Sequence, residues 1–167
     1  AGTLEIALKL VPGVKRVYVV SGVHEVDRKV EDQARHISGK WAGNLEFIYL
    51  SHVPFEEIPA RLSDIPPDSI ILALAVSQDV TAKHLTTPEA IQRLSQTSGA
   101  PIFGILDVAL GHGITGGSLL SFDRIGAEAG RMVVDILGGA KSPETIPAVM
   151  GVSAVPMFDW QQLRRWN

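Results

Sequence analysis

The sequence contains no cysteine, and this absence excludes disulfide bonds, thiol catalysis and cysteine-based zinc sites. Its five histidines are scattered and form neither an HExxH motif nor a close HxH pair, so we expect no metal site. No apolar run approaches the roughly 20 residues that a membrane-spanning helix needs. Lysines and arginines form no stripe, and with a formal net charge of −3 we expect no nucleic-acid partner.

The composition is typical of one globular domain. The chain has 167 residues, which is long enough to bury a sizeable core, and 46% of them are hydrophobic. It opens on AGTLEIALKL, which lacks the basic leader of a signal peptide and has the pattern of a helix already in progress. We therefore expect the chain to be a fragment of a larger protein.

Strand-like and helix-like segments alternate along the chain. KRVYVVSG at 15–22 and SIILALAV at 69–76 are continuous apolar runs of the kind found in buried parallel strands. In the segments between such runs, apolar residues recur at the spacing of an amphipathic helix. Strands are predicted at 15–22, 45–51, 69–76, 102–106, 118–122 and 148–155, and helices at 3–11, 25–41, 54–62, 87–98, 121–137 and 158–166.

This alternation, with short connections, predicts an α/β fold. We expect a Rossmann-like three-layer lobe, in which helices cover both faces of a mostly parallel sheet. One domain would span 1–167, with the strand–helix units in 1–140 and a C-terminal return strand and short helix in 141–167. The strand ends would then lie along one edge of the sheet.

Polar residues follow several of the predicted strands. Open α/β proteins bind small molecules at the carboxyl ends of their strands, because the loops there converge on one crevice. We therefore expect a ligand site at this edge. The candidate contact residues are Val23, His24, Ser77, Gln78, Asp79, Asp107 and His112.

The segment GHGITG at 111–116 matches the GxGxxG pattern of dinucleotide-binding loops. That chemistry needs a helix directly behind the glycines, whereas SLLSF at 118–122 has the pattern of a strand. Backbone geometry explains the glycines better, because glycine permits positive φ and close approach of chains. No nucleotide or other cofactor is expected.

An enzyme is the alternative that these residues leave open. Asp107 and His112 could form an acid–base pair in a Rossmann-like core, although no GxSxG elbow presents a nucleophile. A receiver domain is disfavoured, because the first predicted strand is not followed by paired acids. A binding domain is the preferred interpretation, and no catalytic residue is predicted for it.

Two stretches of the sequence resemble a known family. PIFGILDVALGHGITGGSLLSFDRIGAEAGRMVVDILGG and PMFDWQQLRRW are similar to the type 1 periplasmic-binding-protein fold, as in ABC-transporter substrate-binding proteins and extracytoplasmic sensor domains of bacterial histidine kinases. The chain is similar to one lobe of that fold. The matching residues are Asp107, the turn Leu110-Gly111-His112-Gly113, the pair Gly116-Gly117, Asp159-Trp160, and Leu163 with Arg164-Arg165.

The resemblance implies a domain that binds or senses a small molecule in signal transduction or transport. In this family two lobes close on the ligand, so a second lobe is an expected partner and a homodimer is a candidate assembly. The resemblance implies an extracytoplasmic location in a membrane-associated parent, either a two-component sensor histidine kinase or an ABC-transporter substrate-binding protein. Many members have an aromatic residue or an arginine where this chain has Ser77-Gln78-Asp79, so the ligand is not implied.

Overall fold

The computed structural model describes residues 2–146 and 154–166 of the chain. Its helices alternate with strands, as the sequence periodicity predicts. The helix at Thr87–Thr97 has the clearest start signal, a capping box in which Thr86 and Glu89 exchange hydrogen bonds. The hydrogen bonds from Thr86 lower the pKa of Glu89. The helices are α1 (Gly2–Leu10), α2 (Glu25–Ser38), α3 (Ile58–Ser63), α4 (Thr87–Thr97), α5 (Phe122–Leu137) and α6 (Trp160–Arg165).

Six strands form one sheet in the order β2-β1-β3-β4-β5-β6. The strands β1 to β5 are parallel to one another, and β6 pairs antiparallel with β5 at the edge. The predicted α/β class with a mostly parallel sheet is thereby confirmed. The strands are β1 (Arg16–Val20), β2 (Glu46–Tyr49), β3 (Ser69–Ala73), β4 (Ile102–Gly104), β5 (Gly116–Leu119) and β6 (Val155–Phe158).

Two apolar cores lie on opposite faces of the sheet. Alternate residues of the central strands point to the two faces, so Val17 and Val19 of β1 belong to one core and Val20 to the other. One core packs under α3 and α4, and the other packs under α1 and α2. All five residues of β3 are buried, which explains its continuous apolar sequence.

Several predicted boundaries were wrong near the C-terminus. The predicted strand at 118–122 lies earlier, at Gly116–Leu119, because Ser121 caps α5 and Phe122 is its first residue. The final helix begins at Trp160, because the Asp159 side chain accepts hydrogen bonds from the next two backbone N–H groups. Of the strand predicted at 148–155, residues 148–153 lie outside the described residues, and β6 begins at Val155.

The glycine pair that follows the GHG turn allows the sheet to continue. Gly116 has a φ of +148°, and a Cβ there would lie 2.4 Å from the carbonyl oxygen of Met157 in β6. Gly117 has a φ of +156°, and its Cβ would meet the carbonyl oxygen of Gly104 in β4 at the same distance. Only glycine fits between the two neighbouring strands at these positions. The backbone-geometry interpretation of the glycines therefore applies here.

Candidate functional site

The carboxyl ends of β1, β3 and β4 meet at one edge of the sheet, which we call the carboxyl edge. The loop after β1 is fixed to the loop after β3 by two backbone hydrogen bonds, from Gly22 to Ala75 and from Val23 to Gln78. Asp107 follows β4 on a short 3-10 turn. Six of the seven predicted contact residues, all but His112, thus follow strands that end at this edge.

Ser77 is held by an acid in the first turn of α2. Asp27, only 1% exposed, accepts hydrogen bonds at Oδ2 from the backbone N–H of Ser77 at 3.0 Å and from its hydroxyl at 2.7 Å. The first turn of α2 is therefore joined to the loop after β3. A side chain that already satisfies Asp27 has less hydrogen-bonding capacity for a ligand.

Gly22 makes this contact possible. A Cβ at Gly22 would lie 2.0 Å from Oδ2 of Asp27 and 2.8 Å from the carbonyl oxygen of Gln78. Residue 22 must therefore lack a side chain for the buried carboxylate to reach Ser77. The serine–glycine pair that ends the strand KRVYVVSG is explained by this close approach.

Asp79 organises the loop after β3. Its Oδ2 accepts from the backbone N–H of Phe55, and its Oδ1 accepts from the N–H and hydroxyl of Thr81 and the N–H of Lys83. Burial raises the pKa of Asp79, but these hydrogen bonds outweigh it and hold the pKa below its usual value. The Lys83 side chain in turn hydrogen-bonds Glu56 and lowers the pKa of that carboxyl. Both carboxylate oxygens of Asp79 are thus engaged in hydrogen bonds within the protein.

The remaining contact candidates near β1 and β3 are less constrained. His24 is exposed at the N-cap of α2, and its side chain makes no capping hydrogen bond. Val23 is half-buried. Gln78 is half-buried, and its amide nitrogen lies 3.5 Å from the carbonyl oxygen of Ala82, the limit of a hydrogen bond. These three side chains remain available to a ligand at the carboxyl edge.

Asp107 has one carboxylate oxygen engaged and one without a partner. Its Oδ2 accepts from the backbone N–H of Phe122 at 3.1 Å, at the start of α5. Its Oδ1 is shielded from solvent and has no hydrogen-bond partner among the described residues. A buried acceptor without a partner is costly and therefore calls for a donor. A ligand or a neighbouring chain that brings a hydrogen-bond donor would satisfy it.

His112 lies on a segment that leaves the carboxyl edge. The chain passes from Asp107 back to the start of β4, where the backbone N–H of Thr115 donates to the carbonyl oxygen of Ile102 at 2.6 Å. The carbonyl oxygen of His112 lies 3.4 Å from the hydroxyl of Ser95, near the last turn of α4. His112 is exposed and packs near α4, whereas Asp107 contacts α5. The structure does not bring these two residues together in any described hydrogen bond.

A polar cavity of about 700 Å³ opens at the carboxyl edge beside α2, and we call it the edge cavity. Val23 is the one predicted contact residue that lines this cavity. Sequence reasoning missed the other lining residues, although the position of Ser51 and His52 directly after a strand was a usable signal. The lining residues are Gly22, Val23, Arg28, Glu31, Asp32, Arg35, Ser51, His52 and Val80.

The charges of the edge cavity are partly paired. Glu31, 7% exposed, accepts hydrogen bonds from Arg35 at 2.6 and 2.9 Å and from the Ser51 hydroxyl at 3.1 Å. Arg28 and His52 are exposed, and no carboxylate of the described residues lies within salt-bridge distance of either. The cavity therefore offers two nitrogen-bearing side chains to an anionic or hydrogen-bonding group.

Among residues 2–146 and 154–166, no group of three His, Asp or Glu side chains could hold a metal ion. Within the same residues, each helix is too short or too polar to span a bilayer.

A mostly parallel α/β sheet with an antiparallel last strand is the fold of this chain. Solved structures that share it include the ligand-free, open structure of CD0873, a substrate binding protein with adhesive properties from Clostridium difficile. That structure matches 97% of this chain with a TM-score of 0.69 and 16% sequence identity. A conserved domain protein from Vibrio cholerae O1 biovar El Tor strain N16961 matches the same share with a TM-score of 0.66 and 19% identity.

The match covers only part of each of these two proteins. The chain spans about half their length, 53% in both cases. No protein-family model matches the chain, and no curated protein matches it in sequence. At these identities the likeness concerns the fold.

Proposed function

We propose that this chain is one lobe of a two-lobed protein that binds a small molecule at the carboxyl edge. In this proposal the ligand lies between the edge and a second lobe, in contact with Val23, Arg28 and His52 of the edge cavity. His24, Gln78 and Asp107 do not line that cavity and are candidate contacts on the rest of the carboxyl edge. Ser77 and Asp79 shape the loop after β3 rather than contact the ligand. His112 belongs to the proposed site only if the second lobe reaches around to α4.

The edge cavity is the observation that carries this proposal. Its volume of about 700 Å³ lies within the range of about 300–1,000 Å³ that small-molecule sites occupy. It is open on one side, as half of a cleft would be. Arg28 and His52 supply groups that suit a carboxylate or another polar ligand group, while Val23 and Val80 supply apolar contact.

The exposed apolar residues of α5 favour the presence of a second lobe. None of its 16 residues is buried, although its apolar residues recur at helical spacing from Phe122 to Leu137. Val133 is 53% exposed and Leu137 is 83% exposed. An amphipathic helix of this kind is stable when its apolar face packs against another element. A second lobe would supply that element, and the match leaves about half of each similar protein for such a lobe.

Such a protein works by closure of the lobes. A ligand that contacts both lobes stabilises the closed state by the difference between its affinities for the closed and open states. In a sensor histidine kinase the closure would be passed to a kinase domain, and in an ABC-transporter substrate-binding protein it would be passed to a transporter. We infer an extracytoplasmic location for either parent, by analogy with the substrate binding protein with adhesive properties.

The enzyme alternative has weaker support. General acid–base catalysis requires the two groups to lie within hydrogen-bond reach of the same substrate. Asp107 is engaged at the start of α5, and His112 lies near α4. No observation favours a reaction at these residues.

A thermal-shift screen tests the proposal. Amino acids, small carboxylic acids and small aromatic acids are compared with a panel of nucleotides at millimolar concentration. We expect stabilisation by members of the first group, because a ligand that binds only the folded state raises Tm. Stabilisation by nucleotides alone would contradict the proposal.

Two arginine variants locate the binding site of any compound that stabilises the protein. Arg28→Ala removes an exposed cation of the edge cavity and is expected to reduce the Tm shift. Arg61→Ala, the control, removes an exposed arginine of α3 that pairs with Glu57 outside the cavity. Equal Tm shifts in the two variants would place the ligand elsewhere.

A further inference from the structure

We propose that the protein has a second, apolar binding site, separate from the carboxyl edge, for a small aromatic molecule with one polar group. The site is a cavity of about 250 Å³ between α1, α2 and the sheet, which we call the interlayer cavity. The residues that carry the argument are Ala34, Ile37, Ser38, Trp41, Phe47 and Tyr49.

The cavity exists because α2 does not seal the face of the sheet that it covers. The only buried residues of this 14-residue helix are two acids, Asp27 and Glu31. Its apolar residues Val30, Ala34 and Ile37 are half-buried and line the cavity instead. The cavity is partly open to solvent, so its apolar walls are left in contact with water, and covering them with an apolar molecule is favourable.

The walls define the chemistry of the occupant. Trp41, Phe47 and Tyr49 contribute three aromatic rings, and Leu72 and Leu74 contribute aliphatic surface from the sheet. None of the lining side chains is charged. Aromatic rings pair with one another in stacked or edge-to-face arrangements. A planar apolar molecule is therefore the best match.

One polar pair gives the cavity a point of recognition. The Ser38 hydroxyl donates to the carbonyl oxygen of Arg35 at 2.8 Å, so the Tyr49 hydroxyl is the donor to Ser38 Oγ, at 3.3 Å. The Tyr49 oxygen can still accept a hydrogen bond. The guanidinium of Arg35 lies 3.5 Å from the centre of the Tyr49 ring and holds that ring in place. A single hydroxyl or N–H on the ligand would find its partner here.

The volume limits the ligand to about two fused rings. An apolar cavity of about 150 Å³ accommodates benzene. The interlayer cavity is larger, at about 250 Å³, so a bicyclic molecule such as naphthol or indole matches its size. None of its lining residues also lines the edge cavity, so the two sites can be tested independently.

Calorimetric titration of the full chain with 2-naphthol tests the proposal. We expect saturable binding at one site per chain. Ala34→Trp fills the cavity and is expected to lower the affinity at least tenfold, whereas Ala60→Trp adds the same side chain at an exposed position of α3 and is expected to change nothing. Val30→Phe replaces Ala34→Trp if circular dichroism shows that the latter does not fold.

A third variant tests the polar pair. Tyr49→Phe is expected to weaken 2-naphthol binding about three- to tenfold and to leave naphthalene binding unchanged, because it removes one neutral hydrogen bond.

Absence of saturable binding, or unchanged affinity in both cavity-filling variants, would overturn the proposal. So would a wild-type dimer that Ala34→Trp converts to a monomer, because a second copy would then occupy the space. Arg28→Ala leaves 2-naphthol binding intact if the two sites are separate.

Discussion

At the scale of single residues, the loop after β3 depends on one carboxylate. Asp79 is 6% exposed and receives four hydrogen bonds from three residues of two different loops. A carboxylate bonded in this way is stabilised in its charged form, which accounts for its lowered pKa. The same bonds fix the position of the neighbouring Gln78, a candidate ligand contact.

Asp79→Asn is expected to lower the free energy of unfolding by about 1–3 kcal/mol at neutral pH, since an amide cannot accept at both positions. The folded-state pKa lies below that of the unfolded chain, about 3.9. The contribution of Asp79 is therefore present above this value and is lost as the pH falls through the folded-state pKa. Urea denaturation of wild type and variant between pH 7 and pH 3 measures it.

Asp64→Asn is the matched control for this experiment. Asp64 is exposed at the end of α3, so its substitution is expected to change stability by less than about 0.5 kcal/mol. A difference between wild type and Asp79→Asn that grows as the pH falls would contradict the assignment of the stabilisation to the ionised carboxylate.

At the scale of elements, the buried carboxylate of Asp27 joins α2 to the loop after β3. Asp27→Ala removes the acceptor for two donors of Ser77 and is expected to cost about 2–3 kcal/mol of stability. Asp32→Ala, at an exposed position of the same helix, is expected to be nearly neutral. Chemical denaturation compares the two. A similar loss in both variants would mean that removal of a carboxylate from α2, and not the contact with Ser77, explains the effect of Asp27→Ala.

The strands and helices were predictable from apolar periodicity, and the contacts that connect them were not. Buried runs such as the sequence of β3 follow directly from their continuous hydrophobicity. The path of the GHG turn was not predictable, because nothing local in the sequence shows that Gly113 packs against Ser95, where a Cβ would lie 2.2 Å away. The contact of Asp27 with Ser77 was likewise not predictable, since a partner 50 residues distant leaves no periodic signal.

At the scale of the whole molecule, stability is unevenly distributed between the sheet and α5. Val134→Lys on α5 is expected to change the free energy of unfolding by less than about 0.5 kcal/mol, because Val134 is 69% exposed. Leu94→Ala on α4 is expected to cost about 2–5 kcal/mol, because Leu94 is fully buried. Urea denaturation of both variants tests this contrast.

Hydrogen exchange of the wild type provides an independent measurement. Backbone amides of β3 are expected to exchange only on global unfolding, and those of α5 through local opening at much lower free energy. Equal protection of α5 and β3, or a large loss of stability in Val134→Lys, would indicate that α5 is held by contacts within this chain.

The position of β6 at the outer edge of the sheet bears on how copies of this protein can associate. Pro156 stands in the middle of that four-residue strand and has no N–H to offer a neighbour. The opposite edge strand, β2, is equally short and begins with Glu46, whose carboxylate is paired with Arg16 at 3.3 Å. Short edge strands that contain a proline or a charged residue resist the edge-to-edge strand pairing that leads to fibrils. Self-association, where it occurs, would therefore be through helical surfaces and not through a shared sheet.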